Sequence, residues 1–505
     1  MKYNLKRYFF LPVGILTIVL ILVNLISRNW FFRLDLTDNK MYSLSKSSRE
    51  IVKQIDDLLT MKVYFSENLP GEYGNNRRYL QDILEEYAAY SDGNIRFEFF
   101  NPETDQDLET EAQKAGITPV QLQVVENDKL EVKRIFMGMV MLYEDKKEVL
   151  PVIQTTTGLE YEITTGIKKL VEKNRRVVGF VNREDQMTSS RGVMMLLQQR
   201  YRVQPVDLSD EIPDNIRVLF LSGMSDSLQT AEKDHLNAYI NRGGNLFIAQ
   251  NRVRADLQNQ QASLIQSDIF DLLKSWGFEV AENLVLDRVC GRVNVMQNMG
   301  FIRMNVPMDY PLIPVIRTFN QDEPLVSGLE QLQFLFPSEI QPDTTSQDSS
   351  VHFVPLMYTS DHSGIMKGYF NLSPDPKMNP VLQRLNQRRK LVAARTEITN
   401  LETGVVSQII LVADSQFLLD EGGGMSPENH VFIMNAADYL LGERELIALR
   451  SREITSRPLG DISDSGKQTW KWVNIILPSL LIVIFGFVRM RQQKRRAKWL
   501  EELYD

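Results

Sequence analysis

A single cysteine in 505 residues, Cys290, leaves no internal disulfide to form and no thiolate cluster to hold a metal. Histidine is nearly as scarce. His235, His352, His362 and His430 stand apart, without the H-E-x-x-H spacing that puts two imidazoles on one helix face, so no zinc site is expected. No G-x-x-x-x-G-K-[ST] occurs, which removes the loop that cradles nucleotide phosphates, and the chain is not expected to be an ATP-driven motor. No G-x-G-x-x-G occurs either, and Gly422-Gly423-Gly424 reads as a loop. No cofactor is expected. Net charge is −8, and because basic residues crowd both ends the middle is more acidic still. Such a body lacks the basic footprint that nucleic acid requires, so that partner is not expected.

What the chain does have is two long apolar runs, residues 8–27 and 472–488, each uncharged. A run of about 17 to 25 apolar residues crosses a bilayer as a helix that satisfies its own backbone hydrogen bonds. Lys2, Lys6 and Arg7 precede the first run, and Arg489, Arg491, Lys494, Arg495, Arg496 and Lys498 follow the second. The positive-inside rule then places both termini in the cytoplasm and residues 28–471 outside it. Trp30, Phe31 and Phe32 on one side and Trp470 and Trp472 on the other mark one outer interface. Residues 26–30 offer no small-x-small cleavage site, so the first run reads as an anchor and not as a signal peptide.

Between the anchors, periodicity divides the chain. Residues 28–173 alternate helical and strand patterns in a small α+β domain: a serine-capped helix at 43–55, a βαβ-like unit of a strand at 61–65, a helix at 78–90 and a strand at 95–100 stopped by Pro102, a polar helix near 105–115, a three-stranded meander over 120–153 and a helix at 161–173. A basic hinge follows at 173–176. Residues 174–460 carry short apolar strands at 177–181, 203–208, 216–221 and 246–249, alternating with helices at 190–201 and 231–241, the latter ended by Gly243-Gly244. This rhythm predicts a doubly wound, mainly parallel α/β sheet. Residues 268–277 and 278–286 are expected to continue the sheet, and a strand at 408–412 and a helix at 432–441 return to it. Residues 331–376 read partly as loop with a strand at 351–357, 461–471 as a linker, and 489–505 as a basic tail after the second of two transmembrane helices, one at each end.

Several segments resemble a known family. Phe32-Arg33-Leu34-Asp35-Leu36-Thr37 with Tyr42-Ser43-Leu44-Ser45, then Val63-Tyr64-Phe65, Leu69-Pro70-Gly71 and Leu84-Glu85-Glu86-Tyr87, look like the start of the GldG family. Leu219-Phe220-Leu221-Ser222-Gly223, the run from Leu236 through Asn241-Arg242-Gly243-Gly244-Asn245-Leu246, Val412-Ala413-Asp414-Ser415-Gln416-Phe417 and Asn435-Ala436-Ala437-Asp438-Tyr439-Leu440-Leu441 continue the likeness. These are auxiliary, substrate-binding-like membrane subunits of gliding-motility-type ABC transporters. The resemblance implies a noncatalytic subunit in the bacterial inner membrane, its body in the periplasm, working with a separate permease and ATPase, and in contact with envelope proteins or glycans.

Candidate sites are few. Parallel sheets open a crevice at the carboxyl ends of their strands, where Ser222, Asp226, Asp414 and Ser415 are placed to bond a sugar or peptide, the mark of a membrane-anchored receptor. The same residue types at strand ends also cap helices and form turns. Arg495, Arg496 and Trp499 in the basic tail are placed to touch a cytoplasmic partner, though such residues also serve as membrane anchors. The α/β body is similar to the class I glutamine amidotransferase scaffold, which uses a cysteine nucleophile, and this raises Cys290 as the center of an unusual hydrolase. The small residues of a nucleophile elbow are missing around it.

Overall fold

Ser45 caps the amino end of a short helix by accepting a hydrogen bond from the N–H of Ser48, three residues on. The computed structural model describes residues 16, 19, 43–67, 69, 71–126, 129–172, 174–181, 189–299, 302–343, 350–454 and 464–504. The first apolar run, 8–27, lies outside the described residues apart from Leu16 and Val19, as does Lys173 of the basic hinge. Residues up to Thr455 make one compact unit and those from Ser456 a second.

The amino-terminal lobe comprises α1 (Lys46–Val52), β1 (Leu59–Phe65), α2 (Gly71–Tyr90), β2 (Ile95–Phe100), α3 (Gln106–Ala115), β3 (Val120–Glu126), β4 (Lys129–Ile135), β5 (Met137–Tyr143), β6 (Lys146–Leu150) and α4 (Leu159–Val171). β1 and β2 run parallel around α2, and β5 pairs antiparallel on the free side of β1, giving the order β2-β1-β5-β6. The meander expected over 120–153 is four strands in two hairpins, and β3–β4 forms its own two-stranded sheet. Leu80, Leu84 and Tyr87 of α2 meet Met61, Val63, Met139 and Met141 in one core.

The second lobe is built on eight strands. In chain order the elements are β7 (Val177–Val181), α5 (Arg191–Gln198), β8 (Arg202–Val206), β9 (Ile216–Leu221), α6 (Thr230–Asn241) and β10 (Asn245–Ala249), then β11 (Val253–Asp256), β12 (Gln261–Leu264), α7 (Ile269–Ser275), β13 (Phe278–Val280) and β14 (Leu284–Asp287). There follow β15 (Cys290–Met299), β16 (Ile302–Ile316), β17 (Thr318–Phe319), β18 (Leu332–Gln333), β19 (Ile340–Pro342), β20 (Val351–Tyr358), β21 (Ser363–Met366), β22 (Leu391–Thr399), β23 (Val406–Val412), α8 (Pro427–Leu440) and α9 (Arg444–Ile454). The main sheet has the order β17-β20-β22-β23-β10-β9-β7-β8. From β8 to β23 neighboring strands are parallel, and β22, β20 and β17 extend the sheet antiparallel.

Alternation along the strands feeds two cores. Val178, Phe180, Val218, Phe220, Phe247 and Ile410 face α5 and α8, while Leu219, Leu221, Leu246, Ile248, Ile409 and Leu411 face α6 and α7. Across the first face the rings of Phe180, Phe220, Phe247 and Phe432 follow one another at centroid spacings of 6.4, 5.0 and 6.1 Å. The ribbon β15–β16 and the strand β22 had no counterpart in the sequence reading. Residues 278–286, expected to continue the sheet, form instead the short strands β13 and β14, paired with β19 and β21 outside it.

The described part of the second unit is one helix, α10 (Asp464–Tyr504), of 41 residues with Pro478 inside. It extends beyond the 472–488 run at both ends. At 1.5 Å per residue it is about 60 Å long, twice the hydrocarbon thickness of a bilayer. Among the described residues it is the helix long and apolar enough to cross a membrane, within Ser465–Lys494.

Candidate functional site

The carboxyl ends of β9, β10 and β23 bring Ser222, Gln250, Asp414 and Ser415 to one edge of the sheet. The Ser222 hydroxyl donates to the Ser415 carbonyl at 3.4 Å, and Gly223 lies so near Ser415 that a Cβ there would collide with it. The buried Gln250 amide accepts from Met224 N–H at 2.5 Å and donates to the carbonyls of Met224 and Asn251 at 3.2 and 2.8 Å. Asp414, fully buried, accepts from the N–H groups of Leu335 and Gln416, both at 2.8 Å. Burial pushes its carboxyl up to about 7, against the pull of those two donors. Asp226 stands apart on the surface, where its backbone carbonyl accepts from Ser267 Oγ at 2.7 Å. The polar groups of Ser222, Gln250 and Asp414 are thus spent on the chain itself, joining strand ends to the loops that cover them.

The other motif segments work in the same way. Gly243 takes a φ of +93°, ending α6, and Gly244 lies against the Tyr239 ring. Asn245 donates to the Leu440 carbonyl at 2.7 Å and accepts from Gln408 N–H at 2.8 Å, locking α8 and β23 to β10.

A buried cluster of charge lies where α4, α5, α8 and α9 meet, at the junction of the two lobes. Asp438, with no exposed surface, takes Arg200 through both oxygens at 2.8 and 3.1 Å and Arg450 at 2.8 Å, and also accepts from the Tyr201 hydroxyl. Arg450 bonds the Tyr161 hydroxyl and Asn435 Oδ1 and stacks on the Tyr161 ring at 4.6 Å. Glu443 takes Lys168 at 2.7 Å, Arg200 at 3.1 Å and Arg176 at 3.2 Å. Burial works against the Arg200 charge, but Asp438, Tyr201, Tyr161 and Glu443 together hold it above its usual range. Lys168 and Tyr161 belong to the first lobe, so the cluster is a polar weld between lobes. Beside it opens a cleft of about 520 Å³ lined by Tyr161, Glu162, Lys169, Arg200 and Met434 among others. Desolvation raises the Glu162 carboxyl there, and Lys169 is held by Glu148 at 2.6 Å. The sequence places helices over the segments that hold Tyr161, Lys168, Arg200 and Asp438 but does not bring them together; Arg200 lies 238 residues from Asp438 in the chain, a pairing no local pattern signals.

Cys290 opens an antiparallel ribbon strand opposite Pro314, not a strand-to-helix turn. Partial burial, then Asp309, pushes its thiol up to about 11. At pH 8 only about one thiol in a thousand is then ionized, so alkylation by iodoacetamide is expected to be slow and to accelerate about tenfold per pH unit up to pH 10. Rapid labeling at pH 7 would contradict this. Among the described residues no three His, Cys, Asp or Glu side chains come together as metal ligands. Arg495, Arg496 and Trp499 fall within α10, but their side chains lie outside the described residues.

Residues 175–437 match the family model described as an ABC-type uncharacterized transport system, and residues 38–142 match a domain of unknown function (DUF7088). A curated protein of Borreliella burgdorferi, described as an uncharacterized protein, is 23% identical over 511 residues, covering 95% of this chain and 98% of its own. Among solved structures, the mmIFT52 N-terminal domain is 13% identical, covers 52% of this chain and 96% of its own, and has a TM-score of 0.34. A putative ThuA-like protein from Parabacteroides merdae is 10% identical over 54% of this chain and 91% of its own, with a TM-score of 0.30. Neither likeness transfers a fold name.

Proposed function

Since the chain belongs to the ABC-type uncharacterized transport system family, we propose that it is the noncatalytic auxiliary subunit of an ABC transporter of the GldG type. The family domain gives it a role in an ABC-type transport system, and such systems comprise permease and ATPase subunits. In this reading α10 and the 8–27 run anchor it in the bacterial inner membrane, both termini are cytoplasmic, and the two-lobed α/β body stands in the periplasm. The observation that carries the reading is the family match over residues 175–437 in a chain that also bears α10, a helix apolar enough to span a bilayer. The body then acts by shape and contact. Its strand-end polar groups hold loops, and its charged junction joins lobes, so its work is to present a fixed surface to envelope components while a separate ATPase supplies energy.

Solubilizing the native membrane in mild detergent and isolating the full chain is expected to bring down a P-loop ATPase and a multi-span protein in stable ratio. A reporter fused after residue 505 is expected to face the cytoplasm. Isolation of the chain alone from cross-linked membranes, or an exterior reporter, would refute the reading.

A further inference from the structure

We propose, independently of the transport reading, that the depression at the amino ends of β7, β9, β10 and β23 is a binding site for a phosphoryl group. The cavity measures about 650 Å³, and its wall carries Arg176, Arg217 and Arg444 with Asn245, Gln408 and Tyr439. Among the described residues no carboxylate lines it. In a chain of net charge −8, three guanidinium groups turned into one hollow form a local field opposite to that of the whole.

The charges there are largely uncompensated. Arg217 and Arg444 have no carboxylate partner among the described residues, and Arg444 stacks on the Tyr439 ring at 4.7 Å, which restrains its fork. Arg176 reaches Glu443 at 3.2 Å, with Glu172 more distant at 3.9 Å, but Glu443 also serves Lys168 and Arg200, so one carboxylate faces three cations. The carbonyls that end α8 would repel an anion, yet they are already occupied: Leu440 accepts from Asn245 at 2.7 Å and the next residue, Leu441, from Arg176 at 2.5 Å. After the Gly442 turn, at φ +80°, α9 starts at Arg444, so the positive end of its dipole borders the hollow. A second depression, where β7 and β8 begin, is lined by Arg175 and Arg202, again without a carboxylate among the described residues. Planar guanidinium forks match the oxygens of a phosphoryl group in geometry as well as charge. The group is either the headgroup of an anionic phospholipid or a soluble phosphoester.

The test uses the full chain in phosphatidylcholine nanodiscs titrated calorimetrically with pyrophosphate at constant ionic strength. Saturable binding is expected, weakened about tenfold or more by Arg217→Ala and by Arg444→Ala. Arg96→Ala, at an exposed arginine of β2, is expected to leave it unchanged. Arg217→Lys, which keeps the charge but loses the fork, is expected to fall between wild type and Arg217→Ala, and the unfolding temperature of each variant checks that it is folded. Repeating the titration in phosphatidylglycerol nanodiscs separates the sources: a lipid site loses pyrophosphate binding and retains phosphatidylglycerol in native mass spectra, whereas a soluble-ester site binds as before. No saturable binding in phosphatidylcholine, or equal loss in Arg96→Ala, overturns the proposal.

Discussion

Asp438→Ala is expected to destabilize the body by about 3–5 kcal/mol, because it strands two buried guanidinium groups. Arg200 and Arg450 have side chains only 11% and 7% exposed, and Asp438 is the carboxylate both of them contact. Glu443 can absorb part of the Arg200 charge but already faces Lys168 and Arg176. Removing the anion therefore leaves positive charge in a medium that solvates it poorly, and the gain from pairing is lost without recovery of the desolvation already spent. Chemical denaturation of the full chain in detergent measures the effect. Because Tyr161 and Lys168 bring the first lobe into the same cluster, the variant is also expected to expose the junction to protease at lower denaturant than wild type. Asp438→Asn keeps the shape and one acceptor and is expected to fall between the two. A loss below about 1 kcal/mol for Asp438→Ala would mean that the cluster relaxes or hydrates freely.

The elements were far more legible than their partners. Val177–Val181 and Ile216–Leu221 coincide with the strands expected from short apolar runs, because a strand covered on both faces needs an apolar side chain at nearly every position. Helix α2 runs earlier than expected, starting at Gly71, since Gly74, Asn75 and Asn76 are weak helix formers and the sequence signal only becomes periodic from Arg78. The ribbon was hidden for the opposite reason. Pro307, Pro311 and Pro314 in β16 read as breakers, yet this strand has a partner on one side over most of its length, and an edge strand tolerates residues without an N–H. Of the candidate residues, Ser222, Asp414 and Ser415 were legible as strand-end positions, but what each bonds was not. Leu335, which Asp414 holds, is 79 residues away, and that distance carries no periodic signature.

Asp414 yields the second large effect, as a dependence of stability on pH. In the unfolded chain its carboxyl ionizes near 3.8, whereas in the folded protein burial holds the proton up to about 7. Between those values the folded state binds more protons than the unfolded state, so its contribution to stability falls as pH rises; above pH 7 the whole cost, about 4 kcal/mol, is in place. Asp414→Asn removes the titrating group while keeping its volume. Its amide resembles the protonated acid, with one oxygen for Leu335 or Gln416 and a poor neighbor for the other donor. Variant and wild type are therefore expected to unfold with equal stability within about 1 kcal/mol at pH 4, and to diverge as the pH rises, the variant becoming the more stable by up to about 4 kcal/mol at pH 8. Unfolding of both proteins across pH 4 to 8 measures the divergence. A difference that stays constant would show that the carboxylate remains ionized throughout, with its two backbone donors outweighing burial. Divergence in the expected sense would mean that the loop at Leu335 is held at neutral pH by a carboxylate that costs stability, with rigid placement of the strand-end loops as what it secures.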